Sequence, residues 1–157
     1  MHNHEPQNYR CPFCRIIEQA EQQGLQPSDI VYYSESVTAF LALGRWPNNP
    51  IDVLVVPNDH FENIFDLPFE YAPDIHKVTR ALALAIKNMY QCDGISTRQH
   101  NEPAGNQDVW HYHVHVTPRY VEDHFYGTKR IAFPEQERLD HALRLREFME
   151  KHALELF

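Results

Sequence analysis

Apolar and polar positions follow two rhythms along this chain, and the change from one to the other predicts its elements. Between residues 68 and 92 the apolar positions Ala72, Ile75, Val78, Leu82, Ile86 and Met89 recur at three- and four-residue steps, which aligns them as one stripe on a helix. Gly94 stands just beyond, where a helix terminator belongs. Residues 109–117 alternate strictly, the mark of a strand with two unlike faces. Residues 30–34 and 37–43 are β-rich runs split by Glu35-Ser36, which predicts a hairpin. Residues 52–56 read as a buried strand closed by Pro57, and 95–99 as a further strand. A short helix over 15–22 is stopped by Gly24 and Pro27. An amphipathic helix over 135–154 carries Leu139, Ala142, Leu145 and Met149, which pack against the domain or a second subunit. Gly, Asn and Pro make 44–50 and 100–106 loops, and 120–134 is irregular. Strands, a long helix, then strands with hairpin-length links predict an α+β fold on an antiparallel sheet.

Composition narrows the function classes. With 157 residues, 43% of them hydrophobic, the chain has enough apolar surface for one folded domain. A formal charge of −8 opposes a nucleic-acid backbone, yet leaves room for a small phosphorylated ligand held by a few arginines. No apolar run approaches the roughly 18 residues of a membrane helix. Residues 1–10 are polar, so no secretory signal is expected. Three cysteines, two of them in Cys11-Pro12-Phe13-Cys14, fit a reducing, cytoplasmic setting. That pair reads as a redox site, half of a zinc site or two free thiols. A redox pair belongs after a strand, and the polar leader before Cys11 does not supply one.

The densest chemistry lies in His111-Tyr112-His113-Val114-His115-Val116-Thr117-Pro118-Arg119. Side chains on a strand alternate between faces, so His111, His113 and His115 project together while Tyr112, Val114 and Val116 face the core. Such a row suits two chemistries. Two or three imidazoles grip a metal, or one imidazole attacks phosphorus and forms a phosphoramidate. A side-chain pKa of about 6.5 leaves an imidazole largely unprotonated at neutral pH, as a nucleophile must be.

This segment resembles the signature of the histidine triad (HIT) family, His-φ-His-φ-His-φ-φ with φ apolar, often followed by Pro-Arg. The approach from Gly105 to Trp110, the opening Cys11-Pro12-Phe13-Cys14 with Ile16-Ile17, and residues 53–67 are similar to further family motifs in family order. The resemblance covers a core of about residues 9–120 and implies one HIT-like domain over 1–157, with 121–157 as a C-terminal extension. It implies a sheet with one long central helix and a C-terminal helix. It also implies a hydrolase or nucleotidyltransferase acting on a nucleotide phosphoanhydride or phosphoramidate, such as a dinucleoside polyphosphate. His113 would be the nucleophile that forms a nucleotidyl-histidine. His115 would hydrogen-bond phosphate oxygens, and the carbonyl of His111 would accept the Nδ1 proton of His113. Gln107 would help to offset charge on the phosphoryl group. In zinc-bearing members the Cys pair, a histidine after the central strand and the first triad histidine hold the metal. Here these are Cys11, Cys14, His60 and His111, a closed structural Cys₂His₂ set. Members commonly form homodimers through paired helices, which makes the helix over 68–92 the expected interface.

The chain departs from the family at several places. Gly44 stands where many members carry Asn or Asp reading ribose hydroxyls. Asp52 replaces an outlying histidine, and Asp108 follows Gln107 where Ser or Thr is usual. Gln99 and Asn101 lie in a loop that differs from the usual Asn-x-Gly. With Gly44, Arg45 and Arg119 they are the candidate substrate contacts; arginines clamp phosphates bidentately. Three function classes remain open on these residues: a covalent nucleotide enzyme, a nucleotide-binding regulatory module with negligible turnover, and a metalloenzyme using the three histidines as ligands.

Overall fold

In a computed structural model, which describes residues 2–23 and 29–157, five antiparallel strands form the central sheet in the order β1-β2-β4-β6-β5. They are β1 (Ile30–Tyr33), β2 (Val37–Leu41), β4 (Val53–Pro57), β5 (Gly94–Gln99) and β6 (Val114–Arg119). A pair of two-residue strands, β3 (Gly44–Arg45) and β7 (Ile131–Ala132), lies beside the sheet. The helices are α1 (Pro12–Gln23), α2 (Ala72–Tyr90), α3 (Glu135–Lys151) and α4 (Ala153–Leu156). Alternation sorts the strands into two buried faces. Val37, Ala39, Val53, Val55, Tyr112 and Val116 pack with Ile75, Val78, Leu82 and Ile86 of α2. Phe40, Leu54 and Val56 face the other way, against Phe13, Ile17 and Ala20 of α1. Ala142, Leu145 and Met149 of α3 join the α2-side core, so part of the extension's apolar stripe is spent inside its own chain.

Several boundaries differ from the sequence pattern for identifiable reasons. Alternation runs from 109, but the ladder of β6 starts at Val114, paired with Val55. The next partners along β4 lead to Pro57, which has no N–H to donate, and the Pro57 carbonyl accepts from the His111 ring instead at 2.9 Å. The long helix starts at Ala72 after a single 3₁₀ turn, Phe69–Tyr71, and ends on Gln91 in the left-handed conformation (φ 48°). Gly94 opens β5 rather than capping the helix. The expected loop over 44–50 holds β3, and the irregular 120–134 stretch holds its partner β7, with Gly44 opposite Ala132. The stop expected for the first helix at Gly24 and Pro27 lies outside the described residues. Helix α1 begins earlier than its apolar pattern, on Pro12, whose missing N–H costs nothing at a helix start. Among the described residues no helix is long and apolar enough to cross a membrane.

Candidate active site

On β6 and its approach, the three histidines share the face opposite α2, yet α1 covers that face and all three are buried. Phe13 of α1 meets the rings of His111 and His113 edge-on, with centroids 5.8 and 5.3 Å away. The Nδ1 atom of His113 lies 2.7 Å from the His111 carbonyl oxygen. A carbonyl only accepts, so the His113 proton sits on Nδ1 and the Nε2 lone pair is free. Burial pushes the His113 pKa down to about 4, against the raising effect of that carbonyl bond. The ring is therefore neutral at physiological pH.

His115, with its ring centroid 5.1 Å from that of His113, is anchored differently. Its Nδ1 lies 2.9 Å from Asp52, a fully buried carboxylate that also accepts from the Thr117 hydroxyl at 2.7 Å. The residue standing for the family's outlying histidine thus holds the third triad ring and directs its Nε2 outward. A cleft of about 430 Å³ opens over His113 and His115. Phe13, Ile16, Phe40, Leu54 and Val109 wall it, while Asp108 and Arg130 stand among them as charges. An apolar cleft with a few convergent polar groups is the usual form of a small-ligand site.

The sequence candidates divide by location. Gly44 lines the cleft. Gln107 is a brace: its amide nitrogen donates to the carbonyls of Glu62 and Val109, and its oxygen accepts from the Glu102 N–H. Gln99 and Asn101 bind each other, at 2.8 and 2.7 Å, and shape their own loop. Arg45 lies over the Phe133 ring beside Glu137, and Arg119 is tied to Asp123 through two hydrogen bonds. None of these five lines the cleft. Two residues that the sequence reading passed over stand at the site. His100 places its ring 5.8 Å from that of His115, with Nδ1 donating to the Gly105 carbonyl. Arg130 reaches the cleft from the extension. Its position depends on the β3–β7 pairing, which carries no local signal; His100 sits between Gln99 and Asn101 and was within reach of the same motif reading.

Cys11, Cys14, His60 and His111 form a separate group whose ligand atoms all lie within 4.8 Å of one another. Each sulfur–nitrogen contact is 3.3 to 3.6 Å. Tetrahedral bonds of about 2.3 Å to sulfur and about 2.0 Å to nitrogen set such separations at roughly 3.5 Å, so a zinc ion fits. Both imidazoles turn Nδ1 to the group and commit Nε2 elsewhere, His60 to Glu5 and His111 to the Pro57 carbonyl, each at 2.9 Å. Outer partners of this kind orient metal-binding histidines. Burial, and then the neighbouring Cys11, push the Cys14 thiol up to about 12, which is the cost of two adjacent thiolates without a cation. Burial holds His111 at about 4, in the neutral form a metal requires. His113 and His115 are not members of the group.

Residues 23–122 match the family model described as the HIT domain. The chain belongs to the HIT family. It is 33% identical over 117 residues to the protein hit of Bacillus subtilis, covering 74% of this chain and 76% of that one. It is 29% identical over 116 residues to an adenosine 5′-monophosphoramidase of Candida albicans, covering 71% and 72%. Its fold is similar to the crystal structure of a zinc-bound histidine triad family protein from Mycobacterium smegmatis, with a TM-score of 0.72 and 25% identity over 90% of this chain and 93% of that one. These likenesses fit the α+β fold of the chain.

Proposed function

We propose that this HIT protein is a nucleotide hydrolase or nucleotidyltransferase that works through a nucleotidyl-His113 intermediate on a phosphoanhydride or phosphoramidate. The observation that carries the reading is the buried, neutral His113, whose Nδ1 is tied to the His111 carbonyl while its Nε2 serves the cleft. The phosphoramidase relative supports the substrate class. The Nε2 lone pair of His113 forms a bond to phosphorus as the bond from phosphorus to the leaving oxygen or nitrogen breaks. The leaving group departs with that electron pair and takes up a proton. Water, or an acceptor hydroxyl, then attacks phosphorus and loses a proton; the N–P bond breaks and returns its pair to His113. His115, fixed by Asp52, holds phosphoryl oxygens through both steps. The apolar walls take the nucleoside.

A zinc ion on Cys11, Cys14, His60 and His111 would supply a closed cross-link, structural rather than catalytic. Within the same proposal the protein is a cytoplasmic homodimer using the flank of α2 that α3 and α4 leave open. Mass spectrometry after a rapid quench tests the chemistry. With adenosine 5′-phosphoramidate or a diadenosine polyphosphate, an adenylyl group is expected on the peptide carrying His113. Turnover without that adduct, together with a fully active His113→Asn variant, would refute the covalent reading.

A further inference from the structure

Arg130 immediately precedes β7 in the C-terminal extension, outside the five-stranded sheet, yet three contacts fix its guanidinium at the cleft. Nη2 donates to the Gly44 carbonyl at 2.9 Å. The group also lies 5.2 Å from the centre of the Trp46 ring and 3.8 Å from Asp52. The other nearby arginines are committed elsewhere: Arg98 lies over Trp46 and Phe125, Arg119 is bound to Asp123, and Arg45 lies over Phe133. Among the described residues, Arg130 is the arginine that lines the cleft.

Asp108 shows what this cation faces. One carboxylate oxygen is 3.8 Å from Nε2 of His113, and the other is 3.8 Å from Nη1 of Arg130. A single anionic group therefore spans the nucleophile and the guanidinium. Both separations exceed a hydrogen bond, and the Asp108 side chain is 65% exposed. It is a loosely held occupant that swings into solvent at little cost. A phosphoryl group is a larger anion of at least equal charge, with oxygens that match the guanidinium fork.

We propose that Arg130 is a catalytic residue that binds the phosphoryl group attacked by His113, and that Asp108 occupies this anion position until a nucleotide displaces it. The inference rests on the nucleotide reading above and adds the phosphoryl ligand that reading lacks. It supplies charge where oxygens gain it during transfer. It also makes the C-terminal extension part of the site, because the β3–β7 pairing sets where Arg130 stands. Asp108 competes with the substrate in this arrangement, so its removal strengthens phosphate binding.

Calorimetric binding of AMP and of adenosine to the full chain tests this, with single-turnover rates on adenosine 5′-phosphoramidate. Arg130→Gln should weaken AMP binding about 10- to 100-fold and slow adduct formation by about 10²–10³, while adenosine binds as before. Asp108→Asn should tighten AMP several-fold and lose that gain when combined with Arg130→Gln. Arg130→Lys keeps the charge without the fork and should recover part of the loss, which answers any folding defect in the glutamine variant. Lys129→Gln, next along the extension and exposed, controls for general disturbance. Equal losses for AMP and adenosine, or unchanged AMP binding in Arg130→Gln while the wild type turns over, would overturn the role of Arg130 alone. A wild type that binds no AMP and forms no adduct would overturn the nucleotide reading with it.

Discussion

Removing Cys11 and Cys14 together, each as serine, takes away two of the four proposed zinc ligands and leaves His113 and His115 in the sequence. The structure sets the size of the effect. Contact between Cys11 and His111 joins residues 100 apart. A cross-link over a loop of that length restricts the unfolded chain by about 4–5 kcal/mol in the chain-entropy picture. The second link, from Cys14 to His60, spans 46 residues inside the same loop and adds less. Metal that clings to the unfolded chain trims the total, which leaves about 4 kcal/mol. Each kcal/mol moves the midpoint of a domain of this size by about 2–4 °C, so the double variant should melt roughly 8–16 °C lower. The assay pairs metal analysis with calorimetry on the wild type, on wild type refolded in chelator, and on the variant. Refolding matters because His111 is buried and a chelator does not reach it directly. Cys92→Ser, a buried thiol outside the group, measures what the exchange of sulfur for oxygen costs by itself. The reasoning fails if protein refolded with zinc carries no metal, or if the double variant melts within about 2 °C of the wild type.

Three further outcomes follow from the same geometry. His113→Asn should abolish adduct and turnover with AMP binding kept within about tenfold, His115→Ala should cost about 10²–10³ in rate, and His111→Ala should lose the metal; equal losses tracking metal content would instead favour a three-histidine metal site. Discrimination between ribo- and deoxyribonucleotides should be weak, because Ala42, Leu43 and Gly44 offer the cleft no polar side chain; a preference of about a hundredfold or more in kcat/KM would show another group reading the ribose. Arg119 first, then Asn49 and the Tyr120 and Phe125 N–H groups, hold the Asp123 carboxyl well below the usual range. Its stabilisation is present above the unfolded carboxylate pKa of about 3.9 and is lost as pH falls towards the lower native value. Asp123→Asn should therefore destabilise at neutral pH and flatten the loss below about pH 4; an unchanged acid profile would contradict this.

Elements whose signal is local were legible in the sequence. Helix α2 repeats its apolar stripe over five turns, and β1, β2 and β4 alternate or run apolar between turn residues, so short-range pattern and tertiary burial agree. The histidine row was legible for the same reason, since alternation places His111, His113 and His115 on one face whether or not the ladder reaches them. Elements that exist only through distant pairing were not legible. Two-residue strands such as β3 and β7 have no period to detect, and each is set by the other across the chain. The left-handed end of α2 fell on Gln91 instead of Gly94 because a single such residue costs only about 1–2 kcal/mol, and the following chain, turning into β5 at Gly94, meets that cost.

The departures from the family pattern show why site chemistry was harder to read than fold. Taken one at a time, Gly44 removes a ribose contact, Asp52 removes a histidine and Asp108 sets a carboxylate against phosphate. In the structure they surround one side chain. A methyl group on Gly44 would stand 3.1 Å from the Ile131 carbonyl oxygen and 3.4 Å from Nε of Arg130, so the missing side chain admits the extension. Asp52 and Asp108 lie on either side of the guanidinium at 3.8 Å, and each also faces a triad histidine. The positive charge that makes two carboxylates tolerable beside the proposed phosphate site comes from 86 residues beyond Gly44. A change that looks unfavourable against a family pattern is thus offset by a residue outside that pattern, and only the folded extension brings the two together.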